Sequence, residues 1–254
     1  MSLILTVISQ EGIIHAADSN LSSRQGPAGT GQKVFSVPYL QAAISVAGSY
    51  SVAGTRMDLW MLKAIEAYGA NPKPTVPGLG EHLRFLLETE MLKSEKNGGC
   101  LIHLCGYVAT GAGSHPEFYF IRNITGIDPG TGAYDGFAEA FTVSEDFWTR
   151  DYLTAETQHA LRSGGEQIYI NGYPAGRIGY LALMKHFGQF MRAIWSEPQW
   201  RFRRPVTLAE SALLVDLQLR AIGALFQISD YPAPYIGGDA QIELLPAPAD
   251  RIVF

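Results

Sequence analysis

Cysteine is scarce in this chain, and the positions of the two cysteines exclude the usual functions of a cysteine pair. Cys100 and Cys105 are the only cysteines among 254 residues. They lie five positions apart in a predicted strand, so their side chains point to opposite faces of a sheet. This arrangement disfavours both a mutual disulfide and a shared metal ion. We expect two buried thiols in a reducing compartment.

Signals for membranes, nucleic acids and bound cofactors are also missing. The chain has 19 Lys and Arg against 24 Asp and Glu, which provides no basic surface for nucleic acid. It has no signal segment at its start and no run of about 18 apolar residues, so we expect a cytoplasmic protein without a membrane span. The six histidines show no ligand spacing, and no glycine-rich loop has a phosphate-binding context. We therefore expect neither a metal nor another cofactor.

Hydrophobic residues, by contrast, are plentiful enough for a sizeable core. They make up 47% of the chain, and charged residues 17%. With no repeat or linker, we expect one α+β domain over residues 1–254, with an insertion near 144–166. Periodicity and turn residues predict strands at 3–9, 12–17, 33–37, 41–47, 100–109, 118–122, 137–143, 167–171 and 241–245. They predict helices at 51–68, 83–93, 154–161, 177–195 and 207–227, and a loop at 20–31.

The first eighteen residues are the most informative part of the sequence. Two apolar runs, 3–9 and 12–17, flank a turn at Glu11-Gly12 and predict a hairpin that is buried on both faces. Ser2 precedes the first strand and Asp18 follows the second, so antiparallel pairing brings these residues together. A hydroxyl at a free N-terminus, beside a carboxylate and a lysine, is a complete hydrolytic nucleophile.

These residues resemble the proteasome β-type family of N-terminal nucleophile hydrolases, in particular bacterial proteasome-like subunits. The match covers residues 2–54 and, more loosely, 205–245. It lies in Ser2, Gly12, Ala16-Ala17-Asp18-Ser19, Lys33-Val34, Ala47-Gly48, Thr207–Gln227, Asp230 and Gly237-Gly238. The resemblance implies a four-layer αββα sandwich that assembles into homo-oligomers, which could be rings. It also implies a peptide or amide substrate, which an unfolding ATPase could supply.

The resemblance further implies a catalytic role for three residues. Ser2 attacks the carbonyl carbon of the substrate, and the α-amine of Ser2 takes the proton. Lys33 is a nearby cation that lowers the pKa of the amine and of the hydroxyl. Asp18 pairs with Lys33 and orients it.

Four more residues receive roles from the same resemblance. The backbone N–H of Gly48 donates to the oxyanion, because a glycine permits close approach of the substrate. Asp230 supports the amine from the far side. Val46 and Tyr50 flank the pocket for the residue before the cleaved bond.

Several features depart from the family pattern and keep other functions open. Serine replaces the more usual threonine, Tyr173-Pro174 stands where a serine is expected, and 144–166 is extra. Met1 must be removed to free the amine of Ser2, and methionine before serine is a good aminopeptidase substrate. The main prediction is a hydrolase that cleaves peptide or amide bonds. The alternatives are a non-catalytic scaffold subunit and an amidase that acts on small molecules.

Overall fold

The chain has a mixed α+β fold with six α-helices in the residues that the structure describes, which confirms the predicted class. The structure is a computed structural model and describes residues 2–23, 26–111, 113–128, 134–144, 154–230, 235–249 and 252. The strands are β1 (Leu3–Ser9), β2 (Gly12–Ala17), β3 (Asn20–Ser23), β4 (Gly26–Thr30), β5 (Val34–Val37), β6 (Ala42–Gly48), β7 (Ser51–Val52), β8 (Thr55–Arg56), β9 (Cys100–Thr110), β10 (Gly113–Ile127), β11 (Tyr134–Ser144), β12 (Gln167–Gly172) and β13 (Gln241–Pro246). The helices are α1 (Met57–Gly69), α2 (Val76–Glu90), α3 (Lys93–Lys96), α4 (Ala155–Arg162), α5 (Pro174–Ser196) and α6 (Leu208–Gln227). None of these helices is long and apolar enough to cross a membrane.

Two antiparallel sheets contain most of the strands. One has the order β12-β1-β2-β13, and the other has the order β11-β10-β9-β6-β5. In the first sheet Leu3 pairs with Gly172, and Ile4 pairs with Ala17 on one side and Asn171 on the other. This register brings the start of β1, the end of β2 and the end of β12 together.

The hydrophobic core consists of three clusters, and β1 contributes to two of them. Leu3, Leu5 and Val7 pack with residues of α5 and α6, whereas Ile4 and Ile8 pack with residues of the second sheet. A third cluster joins the second sheet to α1 and α2. Both faces of the first hairpin are therefore buried, as its apolar pattern predicts.

The two cysteines lie on opposite faces of β9, as predicted from their spacing. Cys100 belongs to the cluster beside α1 and α2, and Cys105 belongs to the cluster between the two sheets. Both thiols are buried and free. Burial raises the pKa of Cys100 to about 12, so this thiol stays protonated and is a poor nucleophile.

The described part of residues 20–31 is not a loop, so that prediction was wrong. Strands β3 and β4 pair there in a small sheet of their own. The N–H groups of Ser19 and Asn20 both bond to the carbonyl oxygen of Gly237 at 3.1 Å, and the N–H of Gly31 bonds to the carbonyl oxygen of Ser19 at 3.0 Å. These contacts extend the segment in spite of its glycines and proline.

Helix α1 begins later than the pattern of apolar residues predicts. It starts at Met57 and not at residue 51. Ala53 and Gly54 have positive φ angles of 51° and 74°, which reverse the chain between the short strands β7 and β8. Apolar spacing alone does not reveal this hairpin.

Helix α2 begins earlier than predicted, at Val76 and not at residue 83. Thr75 caps it, because its hydroxyl oxygen accepts a hydrogen bond from the N–H of Gly78 at 3.1 Å. Pro77 lies in the first turn, where the missing N–H costs no hydrogen bond. The Pro/Gly segment therefore starts this helix.

The predicted insertion near 144–166 contains α4 in its second half, while residues 145–153 lie outside the described residues. Leu161 of α4 is buried in the cluster between the two sheets. Gln10 Nε2 donates to the carbonyl oxygens of Leu161 and Arg162 at 3.0 and 2.8 Å. The helix is thus attached to the turn between β1 and β2, at the end of the hairpin opposite Ser2.

Candidate active site

Asp18 and Lys33 form a buried ion pair at the open end of the first hairpin. Asp18 follows β2 and Lys33 precedes β5, so the pair joins the two main sheets. The Nζ atom of Lys33 lies 3.1 Å from each carboxylate oxygen of Asp18. Both side chains are only 2% exposed. The structure therefore brings two of the predicted site residues together.

Backbone N–H groups complete the surroundings of the Asp18 carboxylate. Oδ1 accepts a hydrogen bond from Leu3 at 2.9 Å, and Oδ2 accepts hydrogen bonds from Asn20 at 3.2 Å and Gly237 at 3.3 Å. Because Leu3 directly follows Ser2, the carboxylate fixes the start of β1 as well as Lys33. The third bond brings the Gly237-Gly238 segment to the site.

Burial shifts the pKa values of the pair in opposite directions. Removal from water raises the pKa of the Asp18 carboxyl and lowers the pKa of the Lys33 ammonium. The charge of Lys33 and the N–H groups of Leu3 and Gly237 oppose the rise at Asp18, because they stabilise its ionised form. The interaction between Lys33 and Asp18 therefore takes place in a medium that screens charge weakly.

The backbone of Ser2 is held by the end of β12. Ser2 is buried, and its carbonyl oxygen accepts a hydrogen bond from the N–H of Tyr173 at 2.7 Å. Gly172 has a φ of 107°, and a Cβ at this position would overlap the carbonyl oxygen of Ser2. A glycine is therefore required where β12 passes Ser2. The pattern of the sequence gives no sign of this contact.

Gln241, the first residue of β13, is a site residue that sequence analysis missed. Its Oε1 accepts hydrogen bonds from the N–H groups of Lys33 at 2.6 Å and Val34 at 3.0 Å. Its Nε2 donates to the carbonyl oxygen of Gly31 at 2.8 Å. The available signal was one polar residue at the start of a mainly apolar strand. Its partner Lys33 lies 208 positions away, so local pattern could not connect them.

Gly48 is the last residue of β6 and adopts a φ of 91°, and its role as oxyanion donor stays a prediction. A Cβ here would overlap the carbonyl oxygen of Gly99, so the position requires glycine. The N–H of Val46 donates to the carbonyl oxygen of Lys33 at 3.0 Å, which attaches β6 to the site. The side chain of Val46 is buried among the residues beside α1 and α2.

Tyr50 connects the end of β6 to the segment before Lys33. Its hydroxyl donates to the carbonyl oxygen of Gln32 at 2.5 Å. A Cβ on Gly31 would lie 2.5 Å from the hydroxyl oxygen, so the ring needs a glycine beneath it. Burial, with the charge of Asp58, raises the pKa of Tyr50 and keeps the hydroxyl protonated. The role of Tyr50 beside a substrate pocket stays a prediction.

Asp230 and Tyr173 are two further residues that the sequence analysis singles out. Asp230 follows α6 and has an exposed side chain. Within the described residues it makes no hydrogen bond to Ser2 or Asp18, so its support of the amine stays a prediction. The Tyr173 ring packs against Phe226 and Tyr235, with centroids 6.3 and 5.3 Å apart. Tyr173 departs from the pattern of the family that the sequence resembles, and its ring packs the connection between β12 and α5.

A scan of the chain against protein-family models and a search of curated proteins found no match. In the part of the chain that the structure describes, no group of three or more His, Cys, Asp or Glu side chains is placed to hold a metal ion. Function must therefore be inferred from the geometry around Ser2, Asp18 and Lys33.

Proposed function

We propose that this chain is an N-terminal nucleophile hydrolase that cleaves peptide or amide bonds through Ser2 once Met1 has been removed. The observation that carries the proposal is the buried pair of Lys33 and Asp18, whose carboxylate also binds the N–H of Leu3. A lysine and a carboxylate at the start of the first strand are the groups that would activate a terminal hydroxyl.

We also infer the four-layer αββα sandwich of the proteasome-like family. Support comes from the order of the three core clusters. They join α1 and α2 to the five-stranded sheet, that sheet to the four-stranded sheet, and the four-stranded sheet to α5 and α6. Layers in this order would put Ser2, Asp18 and Lys33 at one end of the two central sheets.

In this mechanism the free α-amine of Ser2 is the general base. It takes the proton from Oγ as Oγ attacks the carbonyl carbon, and then gives that proton to the leaving amine. The charge of Lys33 keeps the α-amine unprotonated, and Asp18 orients Lys33. The N–H of Gly48 stabilises the oxyanion. Water then hydrolyses the resulting ester, with the α-amine again taking a proton.

We propose that the Tyr50 ring restricts the residue before the cleaved bond to a small side chain. The hydroxyl bond to Gln32 holds the Tyr50 ring in place, and the ring packs against the buried cluster that contains Val46 and Phe35. A large side chain would have to displace this ring. We therefore propose peptides with glycine or alanine at that position, or small amides, as substrates.

We propose that the chain assembles with copies of itself, because large apolar side chains remain exposed on its outer helices. The exposed residues on α1 and α2 are Leu59, Leu62 and Phe85, and those on α5 and α6 are Ile178, Leu181, Phe190, Leu213, Leu217 and Leu225. Exposed apolar surface of this kind commonly marks a protein interface. Analytical ultracentrifugation of the full chain tests this proposal, and a monomer at all concentrations would contradict it.

The test of the hydrolase is intact mass spectrometry followed by labelling with an electrophilic peptide probe. We expect a chain that begins at Ser2 and carries one probe, and no labelling of Ser2→Ala. Lys33→Ala should slow labelling by at least about a hundredfold, because it removes the charge that favours the neutral amine. Lys63→Ala, which changes an exposed lysine of α1, is the matched control and should label normally.

Each negative result has a specific meaning. A protein that keeps Met1 and does not react with the probe would overturn the hydrolase proposal and favour a scaffold subunit. Unchanged labelling of Lys33→Ala would overturn the role of Lys33. Turnover of small amides without turnover of peptides would assign an amidase.

A further inference from the structure

The connection between α5 and α6, residues 197–207, leaves large apolar side chains in solvent. Trp200 and Phe202 are 56% and 62% exposed, and Val206 is 65% exposed. Leu213, which follows on α6, is 69% exposed. Apolar surface of this kind commonly marks a site of interaction with another molecule. The connection is therefore a candidate interaction surface.

A groove of about 370 Å³ lies between this connection and the facing parts of α5 and α6. Phe202 and Leu213 line the groove and are largely exposed, so a bound molecule can reach both side chains. The apolar residues that line it are Met191, Trp195, Phe202, Pro205, Leu213 and Leu214. Its polar lining residues are Arg201, Arg203 and Glu210. The groove thus combines apolar contacts with charged groups.

Hydrogen bonds and ring contacts hold the connection in place. Nη1 and Nη2 of Arg203 donate to the two carboxylate oxygens of Glu210 at 2.8 and 2.5 Å. The same carboxylate accepts the N–H of Val206 at 2.8 Å. The guanidinium carbon of Arg204 lies 5.5 Å from the centroid of the Trp195 ring. The surface is therefore ordered before a partner binds, which reduces the entropic cost of binding.

Arg201 supplies the cation that a partner would meet in the groove. Within the described residues it forms no ion pair, whereas Arg203 is paired with Glu210. The three arginines of residues 201–204 outnumber the nearby carboxylates of Glu197 and Glu210, although the whole chain has a net charge of -5. The charge of this surface therefore differs in sign from that of the chain and complements an acidic partner.

We propose that the groove binds an acidic segment of another protein. An apolar side chain of that segment would lie against Phe202 and Leu213, with a carboxylate beside Arg201. Tryptophan and arginine are enriched among the residues that contribute most to binding at protein interfaces, and a concave groove suits an inserted side chain. The proposal does not rest on the hydrolase activity, because no residue of the groove belongs to the proposed active site.

The test is fluorescence polarisation of a labelled peptide in which aspartate alternates with leucine, titrated with the full chain. We expect saturable binding that weakens as the salt concentration rises, because salt screens exposed charges. Peptides with lysine in place of aspartate, or with serine in place of leucine, should bind at least about tenfold more weakly. Absence of saturable binding, or equal binding of the lysine peptide, would overturn the proposal.

Variants of Arg201 separate its charge from its backbone conformation, which has a φ of 54°. Arg201→Asn suits this left-handed backbone but removes the charge, so it should weaken peptide binding by about tenfold, whereas Arg201→Lys should bind nearly as the wild type does. Phe202→Ala should also weaken binding by about tenfold. Lys73→Asn removes a cation from the exposed loop between α1 and α2 and is the matched control. Wild-type affinity in both Arg201→Asn and Phe202→Ala would overturn the proposal.

The same variants identify two other occupants of the groove. A wild-type oligomer that becomes a monomer in Phe202→Ala, measured by analytical ultracentrifugation, would assign the groove to a second copy of this chain. Sedimentation with phosphatidylserine vesicles that is lost in Arg201→Asn would assign it to a lipid surface. Either result would overturn the proposed acidic partner.

Discussion

Acid should destabilise this protein, because His15 is buried in its neutral form between the two sheets. The side chain is fully buried, and burial lowers its pKa from 6.5 to about 3. Below pH 6.5 the unfolded chain binds a proton at His15, whereas the folded chain does not until the pH nears 3. The unfolded state therefore gains relative stability as the pH falls through this window.

The size of this effect follows from the pKa difference. One pKa unit corresponds to about 1.4 kcal/mol. His15 alone should lower the free energy of unfolding by about 2 kcal/mol between pH 7 and pH 5, and by about 4 kcal/mol once the pH reaches 3. Burial also lowers the pKa of His103, so its contribution has the same sign.

Urea unfolding at a series of pH values measures this dependence. His15→Asn is the useful variant, because it does not titrate and can still bond to the hydroxyl of Thr6. It should reduce the loss of stability between pH 7 and pH 5 by about 2 kcal/mol. His186→Asn changes an exposed histidine of α5 and should behave as the wild type. A folded His15→Asn protein with the wild-type pH dependence would refute the reasoning.

Three further changes have clear expected outcomes. Gly48→Ala should lower the free energy of unfolding in urea by about 2 kcal/mol or more, because Gly48 has a positive φ and the added Cβ would overlap the carbonyl oxygen of Gly99. Unchanged stability would contradict the close approach of Gly48 to Gly99. Tyr50→Ala should increase turnover of peptides with leucine before the cleaved bond, whereas Tyr50→Phe, which keeps the ring, should not. Equal turnover of these peptides by Tyr50→Ala and the wild type would show that the ring does not restrict the pocket. Thr207→Ala should cost about 1 kcal/mol in thermal or urea unfolding, because the hydroxyl accepts the N–H of Glu210 at 3.2 Å; unchanged stability would show that this cap contributes nothing.

The sequence predicted the elements whose signals are local. Apolar runs with a glycine turn defined the first hairpin, and Thr207 marked the start of α6. At the start of α6 the Thr207 hydroxyl accepts the N–H of Glu210, and the Glu210 carboxylate accepts the N–H of Val206 at 2.8 Å. The errors at α2 and at residues 20–31 share one cause, since glycine and proline were interpreted as breakers. Pro77 suits a first turn, and residues 20–23 and 26–30 form the paired strands β3 and β4.

The site could be predicted in its charged side chains but not in its backbone contacts. Asp18 and Lys33 stand at strand ends, where pairing of strands brings them together. The donors from Tyr173 and Gly237 and the side chain of Gln241 join segments more than 150 positions apart along the chain. No local pattern encodes which backbone groups meet across such distances, so these contacts become visible only in three dimensions.

We propose that the burial of Lys33 serves the proposed function and not stability. Removing two charges from water costs several kcal/mol, and a buried pair repays this only with excellent geometry. The Asp18 carboxylate could accept the N–H groups of Leu3, Asn20 and Gly237 without any positive charge nearby. The side-chain oxygen of an asparagine could accept part of these hydrogen bonds. A buried pair of this kind is often replaced by apolar residues at no loss of stability, or with a gain of about 1–4 kcal/mol. In the proposed function the ammonium group of Lys33 lies beside the first strand because the terminal hydroxyl of Ser2 needs a cation there.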